Sequence, residues 1–486
     1  MRDFVPKPLF SLAAALKKET GKPLYLIGGK VRDYLAGFSM DSSDFDICAP
    51  VPAEIFMKTA LAAGFCADAA YARTGTMKIS LRQNGGNEKN DIKTEAEYAA
   101  FRSDKYVRGT HTPAETFFTE DILLDARRRD FTCNAVYYDI VADTFVDPLG
   151  GMKDIRNKLL RTVDNPGKVF GEDGLRLLRL ARFAGATGFS PTPETLDGAK
   201  TNAALIADVS PERIFAELKQ ILCSERKYGN ADGIYQALEI LDETRVLDGI
   251  FPDLAAGRNL KQRADFHNHD VLEHSLRAAA YSARANALAD VSPDIPVPFD
   301  VRLAALLHDI GKPAAYFRDG KFSDHPNVGA VLARVALEKL KAPVKTIKLV
   351  EALTKYHMYD YDLCTKENKL RKFIVLHYDI FNELLLVKQA DFSACKDDFS
   401  TAPGVTRLKN LANKMRAEGA PFTLKELAVR GNEIAPLLPS SRYVGATLEA
   451  LLLHCAVTPA DNTKVRLLRL APSFGIVGGK NRNARL

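Results

Sequence analysis

None of the seven cysteines stands two residues from another in a C-x-x-C pair. That argues against a disulfide framework or a thiolate zinc site and fits a reducing compartment, so a cytoplasmic protein is expected. No apolar run approaches the roughly 20 residues of a membrane helix. The apolar stretch Leu9–Leu16 is short and flanked by Asp3 and Glu19, which suits an amphipathic first helix better than a leader. A large excess of one charge is also missing. The net charge of +6 permits nucleic-acid binding without demanding it. What is present is an ordinary globular composition, 46% hydrophobic and 26% charged, over 486 residues, enough for several domains.

The stretch that organises the chain is Leu24–Ala49, LYLIGGKVRDYLAGFSMDSSDFDICA. It reads as a strand over Leu24–Ile27, a Gly28-Gly29 turn, a short helix from about Lys30, and a second strand carrying Asp44 and Asp46. Side chains two apart on a strand share a face, so the two carboxylates stand side by side. Adjacent carboxylates repel unless a cation lies between them, and hard divalent ions suit such oxygen pairs. The glycines let a phosphate approach the backbone, the helix start offers N–H groups, and Arg32 adds a guanidinium. A Gly-Gly turn or an Asp-x-Asp strand is common by itself; the ordered combination GG-x-V-R-D then D-x-D-I is specific.

That combination resembles the class II nucleotidyltransferases, the tRNA CCA-adding enzymes and bacterial poly(A) polymerases. The resemblance continues through RRDFTCNA at 128–135, where it implies that Arg129 reaches the triphosphate and Asn134 braces the sugar side. It continues through DPLGGMKDI at 147–155 and through FGEDGLRLLRLARF at 170–183. Read as one helix, the last segment places Asp173 and Arg176 across a turn, with Arg176, Arg179 and Arg182 as a ridge and Leu175, Leu178 and Ala181 toward the core. In the family the Asp–Arg pair hydrogen-bonds the base edge of the incoming nucleotide, which implies selection of C and A without a template. Ser210–Leu222, SPERIFAELKQIL, is a capped helix matching the neck segment.

Between these motifs, Val51–Gly64 reads as a helix, Thr76–Leu81 as a strand and Gln83–Asn90 as a hairpin loop, with Asp91 just beyond as an edge-strand residue or a third carboxylate. Phe101–Glu120 has little periodicity and reads as a mobile loop. Its run Arg102…Tyr106…Arg108…Thr110…His111 departs from the family pattern, which has Asp and Arg where Arg108 and Thr110 stand. The loop's arginine matters in the family for the final A, and Arg108 is expected to take that part.

A second chemical centre lies further on. His274, the adjacent pair His308-Asp309, and Asp391 recur with His325 and His357 across helical segments. Mixed imidazole and carboxylate donors suit Mn, Fe, Ni or Mg better than structural zinc. The pattern resembles the HD phosphohydrolases, which implies one metal on His274, His308, Asp309 and Asp391, with His325 and His357 completing a second. His267, His269 and His377 have no place in it. Residues 424–453 and the basic tail after Asn462 resemble the tRNA-holding end of the CCA-adding family.

Together these readings predict an α+β protein: a mixed-sheet head over 1–155, a helical neck and body over 156–260, an HD domain over 261–400 and a helical basic tail over 401–486. The expected function is template-independent CCA addition to the 3′ end of tRNA from CTP and ATP. Mg²⁺ is expected on Asp44 and Asp46, with Gly29, Arg32, Arg129, Asn134, Asp173, Arg176, Arg179 and Arg182 around the nucleotide. Mn²⁺, Ni²⁺ or Mg²⁺ is expected in the HD domain. A poly(A), CC-adding or A-adding enzyme of the same family, or an HD phosphohydrolase with a nucleotide-binding head, would use the same motifs.

Overall fold

The computed structural model describes residues 4–39, 44–68, 75–83, 92–105 and 115–477. The chain divides into two compact units, Met1–Pro252 and Asp253–Leu486.

The first unit opens with α1 (Lys7–Thr20), whose Leu9, Leu12, Ala13 and Leu16 are buried as a helical stripe. Then come β1 (Tyr25–Ile27), α2 (Gly29–Ala36), β2 (Asp44–Ala49) and α3 (Ala53–Ala62). They are followed by β3 (Cys66–Ala67), β4 (Thr76–Gln83) and β5 (Ile92–Ala100). After β6 (Arg102–Lys105) and β7 (Glu115–Phe118) the chain forms α4 (Ile122–Arg127), β8 (Tyr137–Asp139), β9 (Thr144–Val146) and α5 (Gly151–Arg156). One sheet has the order β3-β4-β5-β2-β1-β8-β9. Its β2–β5 pair is parallel and its other pairs are antiparallel, the mixed sheet expected of an α+β fold. Period-two burial sets the faces: Thr94, Ala96, Tyr98 and Ala100 of β5 point inward while Glu95 and Glu97 point out. Tyr98 stacks on Phe56 with ring centroids 3.6 Å apart, holding α3 to the sheet.

Two expectations need correction. Phe101–Glu120 is not all loop. Arg102–Lys105 and Glu115–Phe118 pair as a two-stranded antiparallel ribbon, because Thr116, Phe117 and Phe118 favour the extended form and Asp104, held by Arg102 on its own strand, accepts from Thr116 across the ribbon. Tyr106, Arg108, Thr110 and His111 lie outside the described residues, as do residues 84–91 with Asp91. Nor is 170–183 one helix. α6 (Pro166–Glu172) ends where Asp173 turns extended, with φ −147° and ψ 105°, and α7 (Leu175–Thr187) starts afresh. The break seats Gly174 where a methyl group would lie 2.6 Å from the Leu205 carbonyl oxygen. Leu175, Leu178 and Ala181 are buried as expected.

The second unit is helical. Helices Val271–Tyr281, Phe299–Leu307, His325–Lys339, Val344–Tyr356 and Phe381–Lys396 surround a core that includes Leu303, Leu307, Ile310, Leu353, Leu384 and Val387. Helices Pro403–Ala417, Val444–Val457 and Lys464–Val477 follow. Among the described residues no helix is long and apolar enough to cross a membrane.

Candidate functional site

In the head, β1 and β2 run antiparallel with Ile27 opposite Asp46, so the turn after β1 meets the acidic strand directly. Gly28 has φ +75°, and a methyl group on it would lie 3.0 Å from Asp46 Oδ2. Glycine is therefore required twice over, by conformation and by space. Asp46 is exposed beside the N-terminus of α2, whose first N–H groups are the natural seat of a phosphate. β2 begins at Asp44, whose side chain lies outside the described residues. In the parallel register Asp46 stands opposite Glu97, also exposed, so a further carboxylate shares this face. The alternation TEAEYA at 94–99 carried that signal.

Behind the turn, Arg32 is 1% exposed. Its Nη1 donates to Asn134 Oδ1 at 2.8 Å, its Nε and Nη2 to Asp33 Oδ1 at 3.0 and 2.6 Å, and its Nη2 to the Tyr228 hydroxyl at 2.9 Å. Tyr228 in turn donates to Asp33 Oδ2 at 2.6 Å. Burial opposes the guanidinium charge, but Asp33 outweighs it and holds Arg32 above its ordinary range. Asn134 Nδ2 donates to Asp130 Oδ1 at 3.1 Å, and Arg179 grips Asp130 Oδ2 from Nε and Nη2 at 2.8 and 2.5 Å. Although burial favours the neutral acid, Arg179 keeps Asp130 well below the usual carboxylate range. Buried Arg32, Asn134 and Asp130 with the half-buried Arg179 thus form one chain joining α2, the RRDFTCNA segment and α7.

The remaining arginines go elsewhere. Arg128 and Arg129 both hold the buried Asp125, at 2.8 Å each, and Tyr137 donates to the same carboxylate at 2.7 Å. Arg176, 5% exposed, donates to the Val169 and Arg128 carbonyls at 2.8 and 2.6 Å and pairs with Glu172 at 3.0 Å. Arg182 pairs with Glu217 at 2.7 Å. Asp173 caps α7 through Leu175 N at 3.0 Å. The three ridge arginines therefore each take a different partner. Sequence reasoning missed Asp33, Asp125, Asp130 and Tyr228: Asp125 meets Arg128 and Arg129 at i, i+3 and i, i+4 spacing, whereas Asp130 and Tyr228 reach Arg179 and Asp33 only through the tertiary fold.

In the second unit five helices deliver the predicted cluster. His274 Nε2 lies 3.1 Å from both His308 Nε2 and Asp391 Oδ1. Asp309 turns Oδ2 toward His308 and His274, at 3.2 and 3.4 Å. Its Oδ1 faces His325 and His357, at 3.1 and 3.6 Å, whose Nε2 atoms are 3.3 Å apart. One carboxylate thus faces two groups of imidazoles, the arrangement of a ligand bridging two cations. Both Asp309 oxygens are buried without a hydrogen bond of good geometry, although Lys312 Nζ is 2.6 Å from Oδ2. His308, His325 and His357 each place Nδ1 2.6–2.7 Å from the carbonyl three residues earlier, which leaves Nε2 bare to ligate. Burial pushes His274 down, and His357 down to about 4, keeping both neutral. Burial also opposes charge on His308, but Asp309 and Asp391 overcome it and raise it to about 10, the mark of a site that draws a cation. The donor set therefore fits a divalent metal. Gly311 permits the packing: a methyl group there would lie 2.3 Å from the His325 carbonyl oxygen.

Of the three histidines set aside, His269 pairs with Asp397 at 3.1 Å and His377 packs on Tyr356. His267 is a correction. Its ring stands edge-on to His274, centroids 4.9 Å apart, and Cys395 joins them.

Three family models match in order along the chain: the poly(A) polymerase head domain over residues 24–161, the probable RNA- and SrmB-binding site of polymerase A over 188–257, and the HD domain over 271–391. An A-adding tRNA nucleotidyltransferase of Deinococcus radiodurans is 30% identical over 93% of this chain and 92% of its own length. The chain belongs to the tRNA nucleotidyltransferase and poly(A) polymerase family. A multifunctional CCA protein of Acinetobacter baumannii is 30% identical over 69% of this chain and 74% of its own. The fold is shared with the CCA-adding enzyme of Bacillus stearothermophilus solved with CTP (TM-score 0.66, 24% identity, 98% of this chain and 100% of that one). It is shared too with the Thermotoga maritima CCA-adding enzyme solved with tRNA (TM-score 0.60, 16% identity, 97% and 96%). This member of the family is thus an enzyme of the nucleotidyltransferase class with an HD domain.

Proposed function

We propose that this nucleotidyltransferase adds CCA to the 3′ end of tRNA in the cytoplasm, drawing on CTP and ATP, and that its HD domain is a metal-dependent phosphohydrolase. The observation that carries the first part is the seat of Asp46 against the Gly28 turn at the start of α2. The Asp46 carboxylate of β2 and the first N–H groups of α2, which follows β1, converge there. Asp44 and Asp46 would hold Mg²⁺, and Glu97 stands ready beside them. Bound Mg²⁺ supplies charge neutralisation at the departing pyrophosphate and eases ionisation of the attacking 3′ hydroxyl.

Gly29, Arg32 and Arg129 are assigned to the triphosphate and Asn134 to the sugar side, with Arg179 bracing Asn134 through Asp130. Asp173 and Arg176 are assigned to the base, flanked by Arg179 and Arg182. Asp173 accepts from an exocyclic amine. Arg176 reads the base by exchanging its Glu172 pair for it, while its carbonyl contacts hold the stem in place. In the HD domain His274, His308, Asp309 and Asp391 would hold one Mn²⁺, Ni²⁺ or Mg²⁺, and His325 with His357 another across Asp309. The segments 1–155, 156–260, 261–400 and 401–486 then serve as head, neck and body, hydrolase, and tRNA-holding tail.

A second reading, addition of the terminal A alone, is favoured by the A-adding relative that matches nearly the whole chain. One experiment separates them. tRNA ending at the base before C, at C, and at CC is incubated with CTP, ATP or both and resolved at single-nucleotide length. Extension of all three to CCA supports the first reading. Extension of the CC-ended tRNA alone supports the second, and extension of none would defeat both.

A further inference from the structure

Three of the four cluster histidines spend Nδ1 on the backbone carbonyl three residues earlier. His274 does not. It is wholly buried, its Nε2 faces His308 and Asp391, and its Nδ1 has no hydrogen-bond partner among the described residues. A buried imidazole nitrogen without a partner is costly, so such a position calls for a ligand. The Nδ1 of His267 is in the same condition, buried and without a partner, and its ring stands edge-on to that of His274 at 4.9 Å. Cys395, one turn after Asp391 on the same helix, completes the group. One ligand atom from each of His267, His274 and Cys395 lies within 4.8 Å of the others. We propose that these three residues form a further cation site on the flank of the HD cluster.

The chemistry of the donors selects the ion. Two imidazoles and one thiolate suit Zn²⁺, which takes nitrogen and sulfur in tetrahedral sites and leaves a fourth position for water. The HD ligands beside it are imidazole and carboxylate, which suit harder ions. The two sites differ in preference and share only His274, whose ring would serve both as an imidazolate, its remaining N–H proton passing to solvent when both are filled. The inference rests on the HD reading only in that shared residue.

The test uses the full chain, stripped of metal, with Co²⁺ as probe. A thiolate-to-cobalt charge-transfer band should appear, and Zn²⁺ should displace it, since zinc binds such sites more tightly. Cys395→Ala and His267→Gln should each abolish the band and lower bound metal by one equivalent per chain, with the circular dichroism spectrum unchanged. Cys66→Ala, at an exposed cysteine of the other unit, should leave it intact. A measurement without variants guards against misfolding: Zn²⁺ should protect Cys395 from alkylation, read by peptide mass spectrometry. No band in the unaltered chain, a band that survives Cys395→Ala, or alkylation of Cys395 indifferent to Zn²⁺ would each overturn the proposal. Asp309→Asn separates the two readings. Undiminished phosphoester hydrolysis in that variant defeats the HD assignment and leaves the sulfur band as the measure of this one.

Discussion

Arg32 and Asn134, 102 residues apart in the chain, meet in a 2.8 Å hydrogen bond buried beneath the acidic turn. The bond ties the GGKVRD turn to the RRDFTCNA segment, and through Asp130 and Arg179 to the helix of FGEDGLRLLRLARF. Removing Asn134 leaves buried donors of Arg32 without an acceptor, which costs roughly 1–3 kcal/mol. Asn134→Ala should therefore lower the denaturation midpoint of the first unit and slow nucleotide transfer. Urea titration and single-turnover addition to tRNA check both, and an unchanged rate would remove Asn134 from the nucleotide site.

The acidic strand should be needed for transfer and dispensable for RNA binding. Asp44→Ala and Asp46→Ala should each reduce incorporation by roughly a hundredfold or more while tRNA affinity stays near normal, because preorganised charge stabilisation carries most of the rate. Filter binding alongside incorporation distinguishes the effects. Lost affinity with retained incorporation would place the reaction elsewhere.

Acid should weaken the first unit through Asp130. Arg179 holds its folded-state pKa below the ordinary 3.8, so its stabilising contribution is complete above that value. It is lost as pH falls from there toward the depressed pKa. Asp130→Asn should thus be destabilised near neutral pH, and its deficit relative to the unaltered chain should shrink on acidification. Thermal melts across that range give the comparison, and a deficit independent of pH would assign the loss to packing alone.

Base choice is best probed at Asp173, because Arg176 also braces the Val169 and Arg128 carbonyls and its loss would disturb the fold. Asp173→Ala removes a partner worth roughly 1–3 kcal/mol of discrimination. GTP or UTP should then enter tRNA ends. Fidelity equal to that of the unaltered chain would show that the base is read elsewhere.

The HD centre should work apart from the head. Asp309→Asn removes charge from the carboxylate that faces both imidazole groups, so hydrolysis of phosphoesters with Mn²⁺ or Ni²⁺ should fall below detection while nucleotide addition persists. Simultaneous loss of both activities in a folded variant would argue against two independent centres.

Much of this protein is determined by local sequence. The Gly-Gly turn, the period-two acidic strands and the His-Asp pair at a helix end are short-range patterns whose chemistry follows from spacing along one element. Backbone sterics and side-chain periodicity act over those few residues, so the turn, the acidic strand and the helical character of the second unit were legible there, while the mixed sheet and the converging histidines followed from the resemblance to the two families. Partnerships across the chain were not legible. That Arg179 rather than Arg32 holds Asp130, and that Tyr228 closes on Asp33, depends on which elements pack together. The break at Asp173, where a helix seemed continuous, follows from the close approach of Gly174 to the Leu205 carbonyl. His267 and Cys395 reach His274 only because the segment before one helix folds against the end of another. Long-range packing decides where a buried charge or an unpartnered imidazole finds its neighbour, since the cost of leaving it alone falls due only in the folded interior.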